Sequence, residues 1–238
     1  TFSDFSYERP DTEAIGKAFE ACVARFSEAA SADEAENILH ELYGIRNRFE
    51  TMRELASVRH TIDTKDEFYE AEQTYYDQHG PRFTGYVHAY YRALLDHPFR
   101  AELSKRLGQQ LFDMAELVVK TYDPAIVEDL QKENELSSAY RKLKAKASFE
   151  FQGETRTMTG MMAFMRDPDR SVRKAAAEAY WAFMAEHREE LDQIYDKLVQ
   201  LRHTMARKLG YENYIQLGYD RLGRTDYGPA DVARYRQQ

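Results

Sequence analysis

An all-α fold is what this sequence predicts: an elongated array of long antiparallel helices with one small β-hairpin near residues 147–158. Three observations carry that expectation. Glycine and proline are scarce, 11 and 6 among 238 residues, and they fall where a helix would end or bend. Apolar residues recur at three- and four-residue steps through most of the chain, the period of one helix face. Only one stretch alternates with the period of two that a half-buried strand needs.

Taken in order, Asp11 is placed to cap a helix running to about Ala30. Ser31-Ala-Asp33 starts a second, with Ile38, Leu42, Ile45, Phe49, Met52 and Leu55 on one stripe. Asp63 and Thr64 start a third, which carries Phe68, Tyr75 and Tyr76. Gly80-Pro81 is expected to interrupt it, because proline lacks an N–H and disfavours helix in the residue before it. A separate segment then runs from Phe83 to Leu95. Two further helices follow, Phe99 to Lys120 and Pro124 to about Lys146, the second with proline in its first turn. Ala147 to Met158 alternates on both sides of Gln152-Gly153, the pattern of a two-residue hairpin turn. A lone hairpin is marginal by itself, so it should lie against helices.

Arg166-Asp-Pro-Asp-Arg170 breaks the chain and opens what reads as the longest helix. Its stripe runs Val172, Ala176, Phe183, His187, Leu191, Ile194, Leu198, Met205 and Leu209. At ~1.5 Å per residue that helix would span roughly 60 Å. Gly210 is placed just after it, where a left-handed residue ends a helix. Asp226-Tyr-Gly-Pro-Ala-Asp231 reads as one more helix start. The helix after it has under three turns and no stop signal, which reads as a helix continuing past Gln238. Two regions are expected: 1–120, a helical region, and 121–238, helical with the hairpin and the longest helix.

Composition excludes several function classes. The formal net charge is −8 and the isoelectric point about 5.5, which disfavours a nucleic-acid backbone as partner. Mean hydropathy is −0.72, and no apolar run reaches membrane length, so no membrane role is expected. No signal peptide is visible. Cys22 is the only cysteine and cannot form an internal disulfide, which fits a cytoplasmic protein.

Motifs for chemistry are few. The closest histidine pairs, His79/His88 and His88/His97, are nine residues apart. None has the i, i+4 spacing that puts two imidazoles on one helix face for zinc. His40-Glu41 begins like the His-Glu-x-x-His motif, but position 44 is Gly44. No Glu-x-x-His occurs, which argues against a carboxylate-bridged di-metal bundle. Cys22 lies in a helical apolar pattern and reads as a core residue. The basic run Arg141 to Lys146 sits at a helix end, where cations complement the dipole. No glycine-rich nucleotide loop is present. Tyrosine is abundant, with 17, and most clusters read as core or interface. The cluster Tyr211, Tyr214, Tyr219 and Tyr227, interleaved with Arg221 and Arg224 beside three glycines, is the exception. Tyrosine hydroxyls and arginine forks suit peptide backbone and carboxylates, so Tyr219, Arg221, Arg224 and Tyr227 are the candidate substrate-facing residues.

The run Arg207 to Tyr227, with its Lys-Leu-Gly-Tyr-Glu-Asn-Tyr and Arg-Leu-Gly-Arg-Thr-Asp-Tyr, resembles a passage of the oligoendopeptidase F group of thimet-type zinc metallopeptidases. Gln131 to Leu143, the hairpin, and Asp169 to Tyr180 are similar to the same family in order and spacing. The resemblance covers most of residues 100–227 and is more diffuse before that. It implies a helical ellipsoid split by a deep channel that admits short unfolded peptides, with this chain forming one wall. It also implies a cytoplasmic enzyme whose zinc activates water, with the motif glutamate as general base. His-Glu-x-x-His is absent here. No catalytic or metal residue can therefore be assigned in this chain, and no zinc is expected to bind it. The expected partners are short peptide substrates and a zinc-bearing remainder. The alternative is a non-catalytic helical interaction module without a metal site.

Overall fold

Asp11, Ser31 and Asp66 each accept hydrogen bonds from backbone N–H groups at the start of a helix, satisfying donors that have no partner within the helix. They open α1 (Thr12–Ser27), α2 (Ala32–Ile62) and α3 (Glu67–Asp96) of the computed structural model, which describes residues 4–238. The third cap is Asp66 rather than Asp63 or Thr64. Then come α4 (Arg100–Leu107), α5 (Gln109–Lys120), a 3-10 turn at Pro124–Ile126, and α6 (Val127–Ala145). Strands β1 (Phe149–Phe151) and β2 (Glu154–Arg156) pair antiparallel, Phe149 opposite Arg156 and Phe151 opposite Glu154. Their turn has positive φ at both centre positions, 52° at Gln152 and 80° at Gly153, the twist that a two-residue hairpin needs. The chain continues through α7 (Met158–Phe164), α8 (Arg170–Glu186), α9 (Arg188–Lys208), α10 (Tyr214–Arg221) and α11 (Pro229–Gln237).

Three further expected boundaries are corrected. The Gly80-Pro81 interruption does not occur, and α3 runs through both residues. Proline leaves the carbonyl four residues earlier without its helical donor. That carbonyl belongs to Asp77, and the Asn134 side chain donates to it (3.2 Å). Gln131 likewise donates to the Gln78 carbonyl (2.7 Å). Helix α6 thus supplies what proline removed. Next, Phe99–Lys120 is two helices, because Gly108 adopts φ 90° and ends α4. Last, the longest helix breaks at His187. On either side of it, α8 packs on α7 and β1, while α9 packs on α6 and α10. The break lets each half follow its own partners.

The main core lies among α1 to α5. Phe19, Phe26, Leu42, Phe49, Leu94 and Phe112 are fully buried there, and Phe49 stacks on Phe83 with ring centroids 3.8 Å apart. Each such side chain contributes about 1.5–3 kcal/mol through the water it excludes. A second cluster seats the hairpin, with Phe149, Met158 and Met161 against Ala176 of α8. A third joins Ile126 to Met205, Ala206 and Leu217 of α9 and α10. Helices α3 and α6 meet through polar groups instead. Buried Asp77 accepts from Gln73 (2.8 Å) and from Ser138 (2.5 Å), which satisfies the carboxylate that burial would otherwise penalise.

Candidate substrate-facing site

Two glycines aim the residues after α9 and α10. Gly210 and Gly223 have φ of 82° and 67°, a region that costs other residues roughly 1–2 kcal/mol. At the first, Gly210 N–H bonds to the Arg207 carbonyl (3.1 Å) and Tyr211 N–H to that of Ala206 (2.9 Å). At the second, Gly223 N–H bonds to the Asp220 carbonyl (3.0 Å) and Arg224 N–H to that of Tyr219 (3.3 Å). Both are complete Schellman closures, in which the residue after the glycine is brought back over the last helical turn. Arg224 is thereby laid on Tyr219. A Cβ on Gly223 would also lie 2.8 Å from the methyl of Met114, so the turn sits tight against α5. Gln110 of α5 donates to Thr225 (3.1 Å) and fixes the loop that follows.

This geometry divides the four sequence candidates. Tyr219, Arg224 and Tyr227 come together: the Arg224 guanidinium lies 4.6 Å from the Tyr219 ring centre and 5.0 Å from that of Tyr227. Arg221 faces elsewhere and reaches α6. Its Nη2 donates to Glu133 (2.7 Å) and its Nη1 to the Tyr214 hydroxyl (3.2 Å). Arg202 of α9 donates to the same carboxylate (2.6 Å). The Glu133 side chain is 7% exposed, that of Arg221 28%. Burial pushes the Glu133 carboxyl up, but the hydrogen bonds and charges of Arg221 and Arg202 outweigh it and hold it below the ordinary range. For Arg221 the same bond outweighs burial and keeps the guanidinium charged.

Arg221 also lines a polar cleft of about 510 Å³ between α2, α3, α5 and α6, with Arg53, Tyr76, Asp77, Asn134 and Arg141. An apolar groove of about 640 Å³ runs between α6 and the α8–α9 pair, lined by Tyr140, Met184, Leu191 and Leu198. Arg141 borders both. The sequence reading missed Glu133 and Arg202. Glu133 falls in the family-like run from Gln131, yet nothing in the spacing marks it out from its neighbour Glu135.

Two buried histidines hold structure. His60 bonds to Glu70 (2.8 Å). His97 accepts from Phe99 N–H (3.1 Å), so its other ring nitrogen donates to the Phe26 carbonyl (2.8 Å). Among the described residues no group of three or more histidine, cysteine or acidic side chains is placed to hold a metal ion, and no helix is long and apolar enough to cross a membrane.

The family model for the peptidase M3 N-terminal domain matches residues 2–122. Three solved structures superpose on the whole chain. One is PZ peptidase A with an inhibitor, at 47% identity and TM-score 0.95. Another is a protein assigned as an oligoendopeptidase F, at 48% and 0.95. The third, similarly assigned, comes from Bacillus anthracis, at 46% and 0.94. The chain spans 42%, 42% and 44% of their lengths. Comparison with curated proteins gave no match. With more than half of its residues matched by the domain model and all of them superposed on these structures, the chain belongs to the M3 peptidase family and resembles the oligoendopeptidase F group within it.

Proposed function

We propose that the chain is the N-terminal, channel-wall part of a cytoplasmic zinc-dependent oligopeptidase that hydrolyses peptide bonds in short peptides. The observation that carries this reading is the superposition of the whole chain on 42–44% of peptidase structures at 46–48% identity. The described residues offer no ligand set that fits zinc. In the proposed enzyme the metal and the general base therefore come from outside these residues, and no chemical step is assigned to them. What they supply is a wall: a polar cleft, an apolar groove and a half-buried arginine–tyrosine cluster at Tyr219, Arg224 and Tyr227. A set of that kind can hold backbone amides, apolar side chains and carboxylates together. Arg221, bound to Glu133, stiffens the wall and borders the cleft.

The test is hydrolysis by the full-length gene product. Quenched peptides of about ten residues should be cut, and a folded protein carrying the same sequence in a loop should not. A chelator should abolish cleavage and added zinc restore it. Cleavage that ignores the chelator, or efficient cutting of the folded protein, contradicts the proposal.

A further inference from the structure

Arg224 differs from the arginines around it. Arg221 has Glu133 and Arg234 has Asp231 as ionic partners. The Arg224 guanidinium lies against two tyrosine rings, at 4.6 and 5.0 Å from their centres, and makes no hydrogen bond or ion pair with any described residue. Asp226, two positions on, does not reach it. A ring attracts the guanidinium through its π face and takes none of its N–H donors, so those donors remain open to a ligand. The Schellman closure at Gly223 fixes the backbone before Arg224, and a side-chain bond from Gln110 anchors Thr225 after it. The side chain is thus ordered before anything binds, which removes much of the entropy cost of immobilising an arginine. Its planar fork matches a carboxylate.

We infer that Arg224, held against Tyr219 and Tyr227, is a carboxylate-binding site for peptides. This rests on the channel-wall reading and adds to it a preference for peptides that carry a carboxylate at one position. Either the C-terminal carboxylate or an acidic side chain has the required chemistry. A neutral backbone carbonyl carries no countercharge and offers one oxygen, so it cannot take the paired bonds of the fork that a carboxylate takes.

Isothermal titration of the full-length protein separates these sources with three probes: an acetylated apolar tetrapeptide acid, its C-terminal amide, and the amide with one aspartate. The acid, the aspartate peptide, or both should bind the native protein about tenfold more tightly than the plain amide. Arg224→Gln should remove that difference. Arg224→Lys should remove most of it, because the charge stays but the fork is lost. The preference should also weaken with added salt. Arg224 has no internal hydrogen bond or ion pair to lose, so both variants should keep the native circular dichroism and fold, with at most a small drop in melting temperature from the ring contacts. Equal binding of all probes, or a preference that survives both substitutions, overturns the Arg224 site and leaves the channel wall standing. Failure of every peptide to bind the native protein overturns both.

Discussion

Glu133 ties three helices of the second half together. One buried carboxylate holds Arg202 of α9 and Arg221 of α10 to α6. Its folded carboxyl is held below the ordinary value of 4.5. The stability it contributes is therefore complete at neutral pH and is lost as pH falls below about 4.5. Glu133→Gln should cost about 1–3 kcal/mol at pH 7 and leave less further loss on acidification. Urea midpoints of the two proteins at pH 7 and pH 4 measure this. A constant difference between them would show that the carboxylate is not held by the arginines. Gly210 gives a second residue-scale test. At φ 82° a β-branched side chain is strained although nothing lies within 4 Å of the added Cβ, so the cost is conformational. Gly210→Val should lose about 1 kcal/mol or more, read as a shift of the urea midpoint.

At the scale of elements, α3 and α6 form a coupled pair. Asn134 of α6 serves the Asp77 carbonyl that Pro81 leaves without a helical donor. Asn134→Ala should cost about 1 kcal/mol. In a Pro81→Ala background the helix provides its own donor, so the same change should cost less, with a coupling of about 0.5–1 kcal/mol in a double-mutant cycle. Strictly additive costs would contradict the account. This pair also explains why the sequence misled at Gly80-Pro81. The signal for a break is local, while its remedy lies more than fifty residues away. His187 shows the opposite failure. The apolar stripe passes through it without a change of period, and what breaks the helix is the divergence of partners on its two sides. Caps and turns were readable because their chemistry is local: Asp11, Ser31, Gln152-Gly153 and Gly210 all took the conformations their neighbours imply. Of the site, the Tyr219–Arg224–Tyr227 cluster was visible as interleaved aromatic and basic residues. The Glu133 junction was not, because it assembles from three helices spread over some ninety residues.

At the scale of the whole molecule, one large core binds α1 to α5, and two small ones serve the rest. Large apolar side chains stay exposed in the second half, among them Trp181, Tyr195, Ile215, Leu222 and Tyr235. Exposed contiguous apolar surface favours association, so light scattering on the chain alone should show concentration-dependent growth. A clean monomer at every concentration would favour a free-standing helical module. The central claim is that this chain builds one wall of a peptidase whose metal lies outside these residues. Co-expression with the C-terminal part of a related oligoendopeptidase tests it most directly. Neither piece alone should cut a quenched peptide, while the co-purified pair should cut it, chelator-sensitively and with zinc restoring the rate. Cleavage by the 238-residue chain alone, or a co-purified pair that stays inactive with zinc, would contradict the account.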